Sequence, residues 1–320
     1  VLSLEPDQTD ALAGIESPAR RLGLWDELAR AFRGAPQTPR NLEVLAEALA
    51  KIAEWSELAE VRRRQLEGAT VPADKAQRAG ELATLYEREL GDTDGAIRML
   101  LIAQAAQHDE GRQADLLRLL RAAQRWAEVA VVLERELPTV RSGDVDRQVG
   151  ILLELAELRA IRLGKQPEAI QAYEGVLERR PSDTAASTAL ETLYEQLGRD
   201  RDLARLIEVR AEAETDQAKR AQLFARVAAL RSNRGDVDGA LAAFAAAFKA
   251  DPANREVFTA MERVCYKAER WAAAMQLYEG AIAHVEGGQS RAYRLGDLYA
   301  RRGNVQLNFL GQTDASILSY

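Results

Sequence analysis

Gly91-Asp92-Thr93-Asp94-Gly95-Ala96-Ile97 returns in altered form as Gly164-Lys165-Gln166-Pro167-Glu168-Ala169-Ile170, and again as Gly235-Asp236-Val237-Asp238-Gly239-Ala240-Leu241. The leading glycines are 73 and 71 residues apart, which is two units of about 34 residues each. A second series fills the intervals. Trp25, Trp55, Trp126 and Trp271 each precede a helical run such as Trp25-Asp26-Glu27-Leu28-Ala29 or Trp126-Ala127-Glu128-Val129-Ala130. Pro6, Pro181 and Pro252 each stand 19 residues before an equivalent position, Trp25, Asp200 and Trp271.

Between these markers the apolar residues recur three and four apart, as in Leu152, Leu155, Ala156, Leu158 and Leu163, and nothing alternates as a strand would. The spacing predicts antiparallel helix pairs: 7–22 with 25–34, 39–52 with 55–68, 72–90 with 93–107, and 110–123 with 126–137. Then come 144–162 with 166–180, 184–197 with 200–213, 215–233 with 237–250, and 254–268 with 271–285, before a last helix over 289–309. Gly91, Gly164, Gly235 and Gly303 read as C-caps in the left-handed conformation that glycine adopts without Cβ strain. Pro18 falls inside the first predicted helix, where a kink or an early stop is expected.

The composition excludes several classes. The 320 residues are 47% hydrophobic but only 6% aromatic, which suits an Ala/Leu-rich helical protein. One cysteine, Cys265, rules out a disulfide framework, and with only His108 and His284 beside it there is no Cys/His zinc site. A net charge of −7 gives no overall attraction for nucleic acid or anionic lipid. The longest apolar stretch, Gly239 to Phe248, is about half a bilayer span.

These residues resemble the tetratricopeptide repeat, the 34-residue helix-turn-helix unit that stacks into a right-handed superhelix. Phe224 takes the family's large N-terminal position, Ala228 its small helix-A position and Gly235-Asp236 the turn, while Ala240, Phe244, Ala247 and Pro252 complete helix B. Phe258, Trp271, Ala274, Tyr278 and Ala281 supply a further unit, and Leu295-Gly296, Tyr299 and Gly303 open another. The resemblance implies an all-α, right-handed α-solenoid of about eight helix pairs with partial units at both ends, one array over residues 1–320. Small residues such as Ala228, Ala240 and Ala247 would let paired helices approach, with Phe224, Phe244 and Tyr278 filling the remaining space. Glu16, Glu191 and Glu262 stand at the small position in alternate units, and Arg62 stands where a large apolar residue is usual, so those units depart from the pattern. After Gly303 the spacing breaks, and about eight extra residues precede Ser316, Ile317 and Tyr320, implying a long or interrupted helix A. Val1 to Pro6 reads as the tail of a helix B and Tyr320 falls within another, so the chain is expected to be a segment of a longer array.

Catalytic signals are sparse. No Gly-x-Gly-x-x-Gly, phosphate-binding loop, His-Glu-x-x-His or calcium loop occurs. His108 falls at a repeat end and His284 late in a helix B, neither with a nucleophile nearby, and Cys265 takes a core-facing helix-A position. The shared register of the tryptophans argues for packing at the A–B turn rather than a ligand cage. No enzyme activity and no cofactor is expected, and charge runs such as Arg62-Arg63-Arg64 read as solvated faces.

What remains is surface. The resemblance implies a concave face lined by helix A where proteins or peptides dock. By position, Arg118 and Arg121 would form one basic island there, and Arg263, Tyr266 and Lys267 another, followed by Tyr293, Asp297 and Arg301. The family's chaperone-tail clamp of lysine and asparagine has no counterpart, because Asn41, Asn233, Asn254, Asn304 and Asn308 fall elsewhere. The expected function is thus a non-enzymatic protein-interaction scaffold without nucleic-acid binding or membrane insertion. The alternatives are a peptide-sensing regulatory module and an accessory region of an enzyme whose catalytic domain lies outside these residues. The compartment is left open, with the cytoplasm as default.

Overall fold

The computed structural model describes residues 9–288 and 292–319, and among them all regular structure is helical. The expected helix start at Asp7, the Val1–Pro6 tail, the start of the last helix at 289, and Tyr320 lie outside the described residues. The helices divide into two compact units, one of residues up to 144 together with 158–164, the other of 145–157 together with the residues from 165 onward.

The first unit holds four hairpins, each a helix A followed by a helix B. They are α1 (Thr9–Leu22) with α2 (Trp25–Arg33), α3 (Pro39–Lys51) with α4 (Trp55–Glu67), α5 (Pro72–Arg88) with α6 (Thr93–Ala106), and α7 (Glu110–Ala122) with α8 (Trp126–Glu136). A turn of π-helix, Leu158–Arg162, packs on α8 in the same unit. The second unit holds five hairpins: α9 (Val145–Glu157) with α10 (Gln166–Arg179), α11 (Thr184–Gln196) with α12 (Asp200–Ala213), and α13 (Gln217–Asn233) with α14 (Val237–Ala250). They continue with α15 (Arg255–Lys267) and α16 (Trp271–Glu286), then α17 (Leu295–Asn308) and α18 (Thr313–Ser319). Each unit is thus an all-α solenoid, its hairpins stacked in chain order. Among the described residues no helix is long and apolar enough to cross a membrane.

One turn geometry joins every helix A to its helix B. A residue at positive φ stands two positions before helix B, as at Gly23, Gly91 and Gly235, and Ala53, Gln124 and Glu269 take the same conformation without being glycine. The next N–H then reaches back into helix A, Leu24 donating to the Ala19 carbonyl (2.9 Å) and Arg125 to Leu120 (2.9 Å), which satisfies carbonyls that the helix end leaves open. The repeated Gly-Asp-x-Asp-Gly motif has a direct cause. Asp92 and Asp236 cap helix B from inside this tight turn, accepting the N–H of Gly95 (2.8 Å) and Gly239 (3.0 Å), and a Cβ at either glycine would collide with the capping carboxylate. Where Lys165 replaces the aspartate there is no side-chain cap, and Glu168 is tolerated at the glycine position.

The core follows the repeat. Ala228, Ala240, Ala247 and Tyr278 are wholly buried and Phe224 and Phe244 nearly so, each large side chain contributing about 1.5–3 kcal/mol. The four tryptophans are the first residues of α2, α4, α8 and α16. Trp25 and Trp55 pack on the apolar cluster of Leu28, Phe32, Leu45, Leu49 and Leu58. Ends of the following helix A cover three of them: Lys51 lies 5.9 Å from the Trp25 ring and Arg162 5.2 Å from Trp126, while Phe309 stacks on Trp271 at 3.9 Å. They are wedges between hairpins.

Four expectations are corrected. The helix over 144–162 is α-helical only to Glu157, and its last five residues are π-helical. Gly303 is not a cap: it lies buried inside α17, where its carbonyl accepts the Ser316 hydroxyl of α18 (3.1 Å). Gly311, at φ 65°, takes the cap role, and α17 is neither long nor interrupted; the extra residues lie ahead of it, between Glu286 and Leu295. Finally, α1 does not stop early at Pro18 but runs to Leu22, because Leu12 and Ala19, two turns apart on one face, are both buried and hold the far turn in place.

The departures at the small helix-A position also have a physical use. Glu16 pairs with Arg40 of the next helix A (3.3 Å), Glu191 pairs with Arg226 of α13 and Arg210 of α12, and Glu262 pairs with Arg301 of α17 (2.5 Å). Each carboxylate is mostly covered and joins successive hairpins, replacing close helix contact by an ion pair. Arg62 keeps α4 in place from outside the core, bonding Gln65 (3.2 Å) and lying 3.8 Å from Glu81 of α5.

Candidate functional site

Asn254 starts α15 by accepting the N–H groups of Glu256 and Val257 through its side chain. That fixes the helix phase. Val257, Phe258, Met261 and Cys265 turn inward, so Thr259, Glu262, Arg263 and Tyr266, spaced three, four and seven apart, share the other side. With Arg301 of α17 these four line an open cleft of about 440 Å³. Arg263 and Lys267 are exposed, and neither has an ion-pair partner among the described residues. Glu262 is committed, holding Arg301 and accepting the buried Tyr278 hydroxyl (2.6 Å). Tyr266 is half-buried, its ring edge-on to Trp271 at 5.2 Å.

A smaller cleft of about 80 Å³ lies beside it, with Arg255, Tyr293, Asp297 and Arg301 in its walls. The Tyr293 ring lies 4.9 Å from Phe258, its hydroxyl is buried without a partner, and burial pushes the phenol up to about 12. Five of the expected residues, Arg263, Tyr266, Tyr293, Asp297 and Arg301, therefore line two clefts between α15 and α17, and Lys267 ends α15 close by. Arg118 and Arg121 belong to α7 in the other unit. The Arg118 guanidinium is held by both Glu87 oxygens (2.7 and 3.0 Å) and by Asp115 (3.3 Å), the hydrogen bond to Glu87 being the main cause that raises its pKa. Arg121 is exposed in the last turn of α7.

His108 is exposed in the loop before α7 and borders a cavity of about 190 Å³ in which buried Gln113 donates a hydrogen bond to buried Glu136. His284 is half-buried late in α16. Cys265 is fully buried, and desolvation pushes its thiol up to about 11, so it stays protonated and unreactive. A third open cleft, between α12 and the end of α13, gathers Arg201, Arg205, Arg231 and Arg234. Sequence analysis missed it because the arginines come from two hairpins and read singly as solvated charge.

No family model matches the chain, and no curated protein is significantly similar to it. The solved structures that match it do so at low identity and low TM-score. A tetratricopeptide repeat protein from Parabacteroides merdae is 18% identical, over 76% of this chain and 90% of its own, with a TM-score of 0.30. MamA is 16% identical over 52% of this chain and 90% of its own, with a TM-score of 0.29. YrrB, described as a TPR protein with an unusual peptide-binding site, is 14% identical over 64% of this chain and 99% of its own, with a TM-score of 0.30. At that level of similarity the tetratricopeptide-like character of this chain rests on its own hairpins, their common turn and their repeating small and large core positions.

Proposed function

We propose that this protein is a non-enzymatic interaction scaffold that presents a concave helix-A surface to a protein or peptide. The observation that carries the reading is the α15 stripe. Arg33, Arg118, Arg226 and Arg301 are each tied to a carboxylate of another helix, whereas Arg263 and Lys267, beside an open cleft and the half-buried Tyr266, have no ion-pair partner among the described residues. Two cations next to an aromatic edge suit a peptide that offers carboxylates and an apolar side chain. Arg118 and Arg301, tied to Glu87 and Glu262, serve chiefly to position the helices that frame the surface. Cys265, buried and protonated, packs rather than reacts.

The test is selection from a random peptide library displayed on phage, panned against the chain and against the R263E/K267E variant. Both positions are exposed, so the helical spectrum should not change. Peptides enriched on the parent chain and lost on the variant support the reading. Equal recovery on both would remove this surface from consideration.

A further inference from the structure

We propose a second docking surface, built from a helix B and an A–B turn, which takes an acidic segment of a protein partner. It lies in the cleft of about 680 Å³ between α12 and the C-terminal end of α13. Arg201, Arg205 and Glu208 fall four and seven residues along α12, so they share one face. Arg231 of α13 reaches Glu208 at 2.5 Å and donates to the Gly239 carbonyl at 3.3 Å, which ties the end of α13 and the start of α14 to α12. Arg234 follows at the turn.

The charges in this cleft do not balance. Each carboxylate there is committed: Glu208 to Arg231, Asp202 to Arg199 (2.7 Å), and Asp236 to the Gly239 N–H that it caps. Arg201, Arg205 and Arg234 are exposed and have no ion-pair partner among the described residues. The cap hydrogen bond leaves the Asp236 charge in place, yet four arginines against three carboxylates still leave the lining net positive, and that excess repels itself and raises the local potential, in a protein whose net charge is −7. An anion supplied from outside removes that repulsion, and the guanidinium fork matches a carboxylate with two parallel hydrogen bonds.

The form of the cleft selects the anion. The cations come from two elements around an open floor at Ala204, which suits several carboxylates in a row better than a single small ion. No aromatic side chain lines it, so nucleic-acid bases would have nothing to stack on, and the net negative charge opposes a long polyanion.

The experiment is an anisotropy titration of a short fluorescein-labelled peptide of alternating Asp and Glu at low salt. Saturable binding is expected, weakening as salt rises. The triple variant R201A/R205A/R234A should weaken it about tenfold, equivalent to about 1.4 kcal/mol, with an unchanged helical spectrum because all three side chains are exposed and unpaired. R30A/R88A, which removes two exposed arginines of α2 and α5 outside both surfaces, should bind as the parent does, and R263A/K267A reports separately on the helix-A surface. Absence of binding, or equal binding by the triple variant, overturns the proposal. So does a single-stranded oligonucleotide that binds more tightly than the peptide with the same arginine dependence. Loss confined to R263A/K267A would place the peptide on the helix-A surface, overturning this proposal while leaving that one standing.

Discussion

Three side chains occupy a backbone conformation that suits glycine: Ala53, Gln124 and Glu269 stand at φ 59°, 55° and 55° in A–B turns where other hairpins place glycine. An L-residue there costs roughly 1–2 kcal/mol, and the greater freedom of glycine in the unfolded chain offsets roughly 0.5–1 kcal/mol of it. Gln124→Gly should therefore raise stability by about 0.5–1 kcal/mol. A urea midpoint that moves up with an unchanged slope would show it, and a fall would mean that the Gln124 side chain contributes more than its strain costs. Cys265 gives a second residue-level prediction. Its thiol is raised from 9.0 to about 11 by desolvation, so the native state binds the proton more tightly than the unfolded chain. That contribution is whole below pH 9 and is lost as the pH rises toward 11. Relative to Cys265→Ala, the parent should lose stability over that window. A thiol reagent at neutral pH should label the protein only in denaturant, and rapid labelling of the native chain would contradict its burial.

At the scale of helices, the carboxylates between hairpins decide which departures from the repeat are tolerated. Glu262→Ala restores the small residue common in tetratricopeptide units, yet it removes the Arg301 pair and leaves the fully buried Tyr278 hydroxyl without its acceptor. The loss should be about 1–3 kcal/mol, and adding Tyr278→Phe should recover part of it, since the orphaned hydroxyl is then gone. Additive losses in that cycle would mean that the two side chains act independently. Glu87 predicts a pH effect of opposite sign to that of Cys265: Arg118 holds its carboxyl below the ordinary value, so its contribution is present above about pH 4.5 and fades as the pH falls through the lowered value. Arg118→Gln should flatten that acid limb. These pairs also mark where sequence reading stops. The hairpins, their turns and the tryptophan register follow from local spacing and were legible, since a helix period and a left-handed cap are written within a few residues. The partner of Glu262 is 39 residues away and that of Glu87 is 31 away, in the next hairpin. Their pairing depends on how hairpins stack, so Arg118 and Arg301 could be placed on helix A but not recognised as already engaged. Gly303 misled for a related reason: its role is set by α18, which packs on it from 13 residues away.

Within each unit, among the described residues, the main helix packing joins helices that are neighbours in sequence, apart from the π-helical turn Leu158–Arg162 on α8. Contacts of such short reach make stability a sum of hairpin contributions and nearest-neighbour interfaces, with no single core on which everything depends. Damage should then stay local. Phe244 is almost fully buried within α14, and Phe244→Ala should remove about 3–5 kcal/mol from the hairpins it joins. Hydrogen exchange read by mass spectrometry should show faster exchange in α13–α16 and unchanged protection in α1–α7. Protection lost equally from every helix would mean that the chain unfolds as one cooperative body, and the nearest-neighbour account would fail. The same locality bears on binding, because hairpins that open separately can be ordered separately by a partner. A peptide held on α15 should slow exchange in α15–α17 and leave α1–α7 as they were.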